Sequence, residues 1–175
     1  MRRFTPYLAA STERNCRMFE IIDYLPQYHE DFKRLNMEWL EQYQLVEEYD
    51  LEVLADPQKK ILDGGGHVYL AKYGDVIVGS AGIINEGNGV FELAKMAVAP
   101  AYRGKGLSRL LIEKCLHKAR QLQAKSVMLY SNSQLKTAIS LYEKYGFNHI
   151  PNIDSPLVTA DVKMELSLEG EADSD

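Results

Sequence analysis

The chain has 175 residues, of which 46% are hydrophobic and 26% are charged, a size and composition typical of one globular domain. Its apolar runs fall short of the roughly 18–20 residues that span a bilayer, so we expect no membrane partner. The net charge of −5 disfavours duplex nucleic acid, whose phosphates dominate binding affinity. The four histidines and two cysteines show no ligand spacing, so we expect no metal.

Cysteine usage indicates a reducing compartment, and we expect the cytoplasm. Cys16 and Cys115 are too few for a disulfide framework. Cys115 falls on an apolar helix face with Leu111 and Ala119, which predicts a buried thiol.

Both ends of the chain are predicted to lie outside the folded domain. Residues 1–17 carry two arginines near their start but lack the apolar segment of a secretory signal, which is typical of a leader or a disordered arm. Residues 168–175 are small and acidic, as in a solvated tail. The predicted domain therefore covers residues 18–167.

The first half of this domain predicts a strand, two helices and a meander of three strands. Residues 19–24 form an apolar strand. Residues 26–43 carry apolar side chains at helical spacing behind an early proline, and a second helix runs from about residue 49 to residue 62. Turns that contain glycine then separate three strands, which are predicted over residues 67–73, 75–85 and 87–98.

The second half alternates helices and strands. A long helix over residues 104–123 carries its apolar residues on one stripe, and a shorter helix over residues 135–145 ends at Gly146, a typical C-cap. Three further strands are predicted over residues 126–130, 147–150 and 159–166. This order of elements predicts an α/β sandwich with a mixed sheet.

Charge is unevenly distributed along the chain. Between residues 27 and 60 there are nine acidic and four basic residues, whereas residues 95–125 contain eight basic residues and one acidic residue. The asymmetry favours a polyanionic ligand for the second half and a cationic ligand for the first half. Solvated helix faces explain part of these charges but not why the bases cluster around the glycine-rich turn.

That turn lies between a strand and a helix and has the sequence Arg103-Gly104-Lys105-Gly106-Leu107-Ser108. A glycine-rich turn of this kind leaves backbone N–H groups unpaired at the positive end of the helix dipole, a geometry that binds phosphate and preferably a diphosphate. The turn lacks the Gly-Lys-Ser/Thr ending of a P-loop. An unrelated binder of nucleotide phosphates is therefore the weaker alternative at this point.

Two motifs together resemble the GNAT superfamily of acetyl-coenzyme-A-dependent N-acetyltransferases. The turn matches the pattern Gln/Arg-x-x-Gly-x-Gly/Ala, and residues 141–147 match Leu-Tyr-x-x-x-Gly-Phe, with Tyr142 placed 39 residues after Arg103. Ser108 replaces the last small residue of the first pattern. Leu135 stands where an asparagine is often found seven residues before the tyrosine, and Asn132 lies three residues earlier.

The resemblance covers about residues 19–166 and implies a mixed, mostly antiparallel central sheet flanked by helices on both faces. It also implies acetyl-coenzyme A as the cosubstrate. We expect the turn amides to bind the diphosphate, with charge added by Arg103 and Lys105, although Lys105 is equally open to point to water. The extended pantetheine arm is expected to pair with the backbone of the strand before the turn. The predicted cofactor-binding residues are Met96, Ala97, Val98, Arg103, Gly104, Lys105, Gly106, Leu107, Ser108 and Asn132.

Glu92 is the predicted general base. Period-two alternation places it on one strand face with Ala94, Met96 and Val98. A carboxylate on a mostly apolar face is desolvated, which raises its pKa toward the range of a useful base. An exposed glutamate, or one paired with an arginine, is an equal alternative because structural ion pairs give the same signature.

Tyr142 is the predicted acid. By periodicity alone it is a core residue, since it shares a helix face with Leu135 and Ile139. The resemblance implies instead that its hydroxyl protonates the departing thiolate, while a strand amide of Met96 or Ala97 holds the oxyanion. We expect direct transfer without an acyl-enzyme, because Cys115 lies on the packing side of its helix.

The predicted acceptor is a primary amine of a small molecule or amino acid. The acidic excess of residues 27–60 favours a cationic amine, and Glu47, Glu48 and Asp50 are candidates to attract it, although helix capping is an equally good use of them. A protein or peptide N-acetyltransferase and a catalytically silent acyl-coenzyme-A-binding module are the alternatives. A homodimer is also open, since late strands in similar proteins often pair across a dimer.

Overall fold

The computed structural model describes residues 19–152 and 154–170. The predicted leader, residues 1–17, and the last five residues of the predicted tail lie outside the described residues. Leu168 is buried, and its amide donates a hydrogen bond to the Lys125 carbonyl at 2.8 Å. Core packing therefore extends one residue beyond the predicted boundary at residue 167.

A seven-stranded sheet runs through the centre of the described chain. All neighbouring strands are antiparallel except β4 and β5, which are parallel. The order across the sheet is β1-β2-β3-β4-β5-β7-β6. The strands are β1 (Phe19–Asp23), β2 (His67–Tyr73), β3 (Val76–Gly87), β4 (Val90–Val98), β5 (Ser126–Ser131), β6 (Asn148–Ile150) and β7 (Val162–Ser167).

In the described part of the chain four α-helices surround the sheet, namely α1 (His29–Gln42), α2 (Glu48–Ala55), α3 (Leu107–Gln121) and α4 (Lys136–Lys144). The second predicted helix is interrupted. The chain leaves the helical conformation at Asp56, with φ −144° and ψ 73°, and a short π-helical segment then spans Gln58–Leu62. Pro57 explains the break, because proline disfavours helical geometry in the residue before it.

The sheet buries both of its faces. Consecutive β2 residues divide between two apolar cores, with Tyr69 and Ala71 in the core of α3 and Val68 and Leu70 in the core of α1 and α2. Side chains of consecutive strand residues point to opposite faces, so helices cover the sheet on both sides. The predicted fold class is thereby confirmed.

A β-bulge distorts the middle of β4. Ser80 pairs with Ala97, and Gly82 pairs with Ala94, so two β4 residues, Lys95 and Met96, stand opposite a single β3 residue. Lys95 has a φ of 54°, a left-handed conformation typical of strained functional backbone.

The bulge makes the predicted alternation along β4 wrong. Phe91 and Leu93 pack in the α3 core, which turns Glu92 toward the layer of α1 and α2. Beyond the bulge, Met96 and Val98 pack in the α3 core as well. Glu92 therefore lies on the sheet face opposite to Met96 and Val98, because the extra residue shifts the alternation by one.

Two buried polar side chains hold the bulge in place. Asn36 of α1 donates from Nδ2 to the Ser80 hydroxyl at 2.9 Å, and the Ser80 hydroxyl donates to the Lys95 carbonyl at 2.8 Å. The exposed fractions of Asn36 and Ser80 are 3% and 0%, so these bonds satisfy groups that have no access to water.

The parallel pairing of β4 with β5 is short. It joins Val90, Phe91 and Glu92 to β5 residues and ends there. The last part of β4, which contains Met96, Ala97 and Val98, has no β5 partner. The two strands therefore open a gap at the end of β4 that leads into the glycine-rich turn.

Candidate active site

The glycine-rich turn presents open backbone at the start of α3. Gly104 and Gly106 have φ values of 73° and 83°, and a Cβ atom built on either residue has no neighbour within 4 Å. Left-handed backbone of this kind favours glycine. No described side chain caps the first amides of α3, so these donors face the open side of the turn. A turn with this geometry suits a negatively charged group, and the predicted binding of phosphate here stays a prediction.

Arg103 anchors the turn to its surroundings. Its Nε donates to the Val98 carbonyl at 3.0 Å, and its Nη2 donates to Gln42 Oε1 of α1 at 3.0 Å. The ammonium of Lys105 lies 5.7 Å from the centre of the Tyr102 ring. The side chains of these two predicted phosphate-binding residues thus have contacts within the protein.

A cavity of about 440 Å³ extends from this turn to Tyr142, and we call it the turn groove. Met96, Ala97 and Val98 line it, as do Arg103, Gly104, Gly106, Leu107 and Ser108. Two further cations also line it, Arg109 of α3 and Lys136 of α4. Neither cation was predicted as part of the site. Arg109 lies in the first turn of α3, directly after the glycine-rich turn, and Lys136 is the first residue of α4.

Tyr142 lies at the inner end of the turn groove. Its hydroxyl donates to the Met96 sulfur at 3.8 Å. Burial raises the pKa of the Tyr142 phenol to about 12, so the hydroxyl keeps its proton at neutral pH. The backbone of the Leu-Tyr-x-x-x-Gly-Phe motif closes the C-terminal end of α4, because the Phe147 amide donates a hydrogen bond to the Tyr142 carbonyl at 3.1 Å.

A second cavity of about 120 Å³ begins on the other side of Tyr142, and we call it the inner cavity. It shares with the turn groove the side chains of Trp39, Met96, Leu135, Ala138 and Tyr142. Three acidic or basic side chains also line it, those of Asp50, Glu92 and Lys95. Tyr142 is thus shared by the turn groove and by a small cavity lined with charged side chains.

Glu92 is buried, with 4% of its surface exposed. Burial raises its pKa to about 8, the nearby Glu86 carboxylate adds to the rise, and Lys95 opposes it. Among the described residues no arginine pairs with Glu92. Glu92 is therefore neither exposed nor paired with a described arginine, and its role as a base stays a prediction.

Lys95 and Asp50 form a buried ion pair beside Glu92, with side chains 7% and 5% exposed. The Lys95 ammonium also lies 5.7 Å from the centre of the Tyr49 ring. This ion pair was not predicted as part of the site. The sequence did indicate it, because a single lysine stands inside the apolar run of β4 and a buried lysine needs an acidic partner.

The structure does not bring Asn132 to the turn groove. Its Nδ2 donates to the Thr159 carbonyl at 2.7 Å, and its Oδ1 accepts from the Gln134 amide at 3.1 Å. Asn132 lines the inner cavity instead. The side-chain amide of Asn132 thus links the end of β5 to the loop before β7. This placement gives no support to the predicted contact between Asn132 and coenzyme A.

Glu47 and Asp50, two of the carboxylates considered for attracting the acceptor amine, form bonds within the protein. Glu47 accepts hydrogen bonds from the Val158 amide at 2.8 Å and from the Thr159 amide at 2.6 Å. Asp50 pairs with Lys95. The carboxylates that remain near the inner cavity are those of Glu92 and its neighbour Glu86.

Three further sequence expectations concern the whole described chain. In residues 19–152 and 154–170, no helix has the length and apolar character needed to cross a membrane. Within the same residues, no three His, Cys, Asp or Glu side chains are grouped to hold a metal ion. Cys115 is buried as predicted, and burial raises the pKa of its thiol to about 12.

A comparison with models of known protein families identifies the family of this chain. The model of the acetyltransferase (GNAT) family matches residues 26–147, most of the described chain. The chain belongs to the GNAT family. The matched span contains both sequence motifs, the bulged strand, the turn groove and Tyr142. The resemblance stated from the two motifs is thereby confirmed.

Individual GNAT proteins resemble this chain to different extents. The uncharacterized N-acetyltransferase YjgM of Escherichia coli (strain K12) is 39% identical over 89 residues, which are 49% of this chain and 53% of YjgM. The chain thus spans about half the length of this curated relative. The sequence similarity places an acetyltransferase domain here without specifying its substrate.

Solved structures support the fold. A GNAT acetyltransferase from Staphylococcus aureus Mu50 has a TM-score of 0.79 and 22% identity, covering 87% of this chain and 100% of that protein. YncA from Salmonella typhimurium, whose structure contains its cofactor acetyl-CoA, has a TM-score of 0.68 and 21% identity over 90% of this chain and 98% of that protein. At these identities the likeness concerns the fold alone.

Proposed function

We propose that this GNAT protein is an N-acetyltransferase that moves an acetyl group from acetyl-coenzyme A directly to a primary amine of a small molecule or amino acid. The observation that carries the proposal is the junction at Tyr142. There, a groove that starts at an anion-binding turn meets a small cavity that contains a buried carboxylate of raised pKa.

The turn groove fits the coenzyme chemically. The open amides at the start of α3 suit the diphosphate, and Arg109 and Lys136 supply positive charge along the groove. The end of β4, which lacks a β5 partner, offers backbone to the amides of the pantetheine arm. Acetyl-coenzyme A, when bound, supplies the thioester, and the groove directs that end toward Tyr142.

The residues at the junction suit the proton transfers of amine acetylation. An acceptor amine must lose its extra proton before it attacks, and Glu92 has the raised pKa of a base for that step. A backbone amide of Met96 or Ala97 is the proposed donor to the developing oxyanion. Tyr142 keeps its proton at neutral pH and gives it to the departing sulfur as the C–S bond breaks.

The inner cavity favours a small acceptor. Its volume of about 120 Å³ accommodates the amine end of a molecule rather than a folded protein surface. Asp50 is already paired with Lys95, so it is Glu92, when ionised, that favours a cationic amine here, and the loop bound by Glu47 forms part of the cavity wall. A small cationic amine is therefore the proposed substrate class, and a peptide terminus remains the competing acceptor to be tested.

The proposal is tested by thiol release from acetyl-coenzyme A with amino acids, diamines and short peptides. We expect turnover with at least one small amine. In Tyr142→Phe, the rate should fall by about 100-fold or more, because the departing thiolate loses its proton donor. The affinity for acetyl-coenzyme A, measured by calorimetry, should stay within about twofold because the diphosphate contacts are untouched.

Two results would contradict this reading. Coenzyme binding without thiol release across the panel would assign the chain to the silent acyl-coenzyme-A-binding modules. An unchanged rate in Tyr142→Phe would remove this residue as the acid. Tyr145→Phe is the matched control, because the Tyr145 hydroxyl bonds to Glu113 at 2.7 Å and does not line either cavity at the junction.

A further inference from the structure

Glu92 lines a third space as well as the inner cavity. This space has a volume of about 620 Å³, and we call it the outer cavity. It lies between the β3–β4 turn, strands β5 and β7 and the loop before β7, and its lining includes the exposed residues Glu86 and Asn88. Glu92 and Tyr130 line both the inner and the outer cavity. The buried carboxyl group of Glu92 therefore lies between the inner cavity and the outer cavity.

Glu86 is the residue that meets Glu92 in the outer cavity. The β3–β4 pairing shifts between Asn85 and Gly87, which leaves Glu86 without a β4 partner. Glu86 and Glu92 both line the outer cavity, and the charge of Glu86 adds to the rise in the Glu92 pKa. Ionised carboxylates only accept hydrogen bonds, so the two groups can bond to each other only while one of them holds a proton. Glu92 can therefore share with Glu86 a proton that it has taken up.

The chemistry proposed above requires such an exchange, and the present inference rests on that proposed function. One proton of the acceptor ammonium goes to Glu92 before the C–N bond forms. The second leaves the nitrogen later and replaces the proton that Tyr142 gives to the thiol. The first must leave Glu92 before the next turnover, because a protonated Glu92 cannot accept another proton.

We propose that Glu86 accepts this proton from Glu92 and releases it to water through the outer cavity. Glu86 is then a positioning residue that acts through Glu92 and does not touch the acceptor. One carboxyl O–H bond is broken on Glu92 and one is formed on Glu86, and Glu86 passes the proton to water. Overall, an ammonium and a thioester become an amide, a thiol and one released proton.

The other ionisable groups around Glu92 are engaged elsewhere. Lys95 and Asp50 are paired with each other, Glu165 accepts from the Ser126 hydroxyl at 2.7 Å, and Asp154 pairs with Lys163 at 2.8 Å. Three phenols complete the surroundings. The groups that face Glu92 or share its two cavities are therefore Tyr49, Asp50, Glu86, Lys95, Tyr130, Tyr142, Asp154, Lys163 and Glu165.

The test compares Glu86→Gln with the matched variant Glu165→Gln, which removes another carboxylate from the same cavity. At a pH above 8, where Glu92 is ionised, and in dilute buffer, kcat of Glu86→Gln should fall at least about tenfold. Imidazole added as a small external base should restore it by entering the outer cavity. Glu165→Gln should keep the rate of the unaltered protein at every imidazole concentration.

The pH profile provides a second readout. Without the Glu86 charge, the ionised form of Glu92 is less disfavoured, so its pKa falls and the acid limb of kcat/KM moves to lower pH by about one unit. An unchanged kcat in dilute buffer, or a loss that imidazole does not restore, would overturn the relay.

Failure of the relay is distinguishable from failure of the proposed function. If the unaltered protein acetylates no amine, the proposed function fails, and the relay fails with it. If the unaltered protein turns over but Glu86→Gln behaves like Glu165→Gln, only the relay fails. Carbon-13 titration of the Glu92 carboxyl in both variants measures the coupling between the two carboxyls without any substrate, and an identical Glu92 pKa in both would also overturn the proposal.

Discussion

Lys95 shows how one residue serves both the fold and the site. Its backbone forms the β4 bulge, and its ammonium pairs with Asp50 in a region where each side chain is less than one tenth exposed. Desolvation makes such a pair a weak source of net stability, but removing one partner leaves an uncompensated charge inside the protein. The pair therefore constrains which substitutions β4 tolerates next to the proposed base.

Lys95→Met should lower the free energy of unfolding by about 3–5 kcal/mol, because the Asp50 carboxylate then lies buried without a cation. The double variant Asp50→Val with Lys95→Met removes both charges and should recover most of that loss. Urea denaturation of the three proteins measures the effect. Equal stability of the single and double variants would show that the unpaired charge is not the cause.

At the level of the element, β4 was only partly predictable. Its bounds follow from an apolar run between two turns, and the predicted strands and helices around it are present. The bulge depends on hydrogen bonds from Asn36 and Ser80, which lie 59 and 15 residues before Lys95 in the sequence. Local periodicity contains no information about these contacts, so the predicted face of Glu92 relative to Met96 was wrong.

The turn before α3 was predictable because its chemistry is local. The two glycines required by left-handed backbone and the helix start that follows them are adjacent in the sequence. The Tyr142 motif was equally local. The hydrogen bonds of Asn132 with Thr159 and of Arg103 with Gln42 join residues far apart in the sequence, so local patterns did not predict them.

Gly106→Ala tests the turn as an anion site. The added Cβ meets no atom within 4 Å, so its main cost is the left-handed backbone, about 1–2 kcal/mol of unfolding free energy. The methyl group also faces the side where phosphates would approach. We expect the affinity for coenzyme A, measured by calorimetry, to fall at least about tenfold.

Gly87→Ala is the matched control for this change. Gly87 has a φ of 85°, and its added Cβ also has no neighbour within 4 Å, but it lies at the end of β3. It should show a similar loss of stability with unchanged coenzyme affinity. If both variants bind coenzyme A like the unaltered protein, the turn does not hold the phosphates.

On the scale of the whole molecule, the inner cavity is built from distant parts of the chain. Glu47 precedes α2, yet its carboxylate accepts hydrogen bonds from Val158 and Thr159 in the loop before β7. Asn132 binds the same loop from the end of β5. Family membership could be predicted from two short motifs, whereas the inner cavity could not, because its walls are joined by contacts across more than 100 residues.

Glu47→Gln tests the contact between these distant segments. The amide replaces a charged acceptor, so the loop should close the inner cavity less firmly. We expect the KM for the acceptor amine to rise about three- to tenfold, with little change in kcat or in the KM for acetyl-coenzyme A. Glu48→Gln is the control, because Glu48 is exposed at the start of α2.

The pH dependence of stability gives an independent measurement of the same contact. Burial raises the pKa of Glu47, but its hydrogen bonds with Thr159 and Val158 outweigh burial and leave the pKa below its ordinary value. A carboxyl whose pKa is lowered by folding contributes stability above its unfolded pKa and loses that contribution as pH falls through its folded pKa. The unaltered protein should therefore be more stable than Glu47→Gln at pH 7, and the difference should shrink under acid conditions. A difference that stays constant down to acid pH, measured by urea denaturation, would mean that the Glu47 charge does not stabilise this loop.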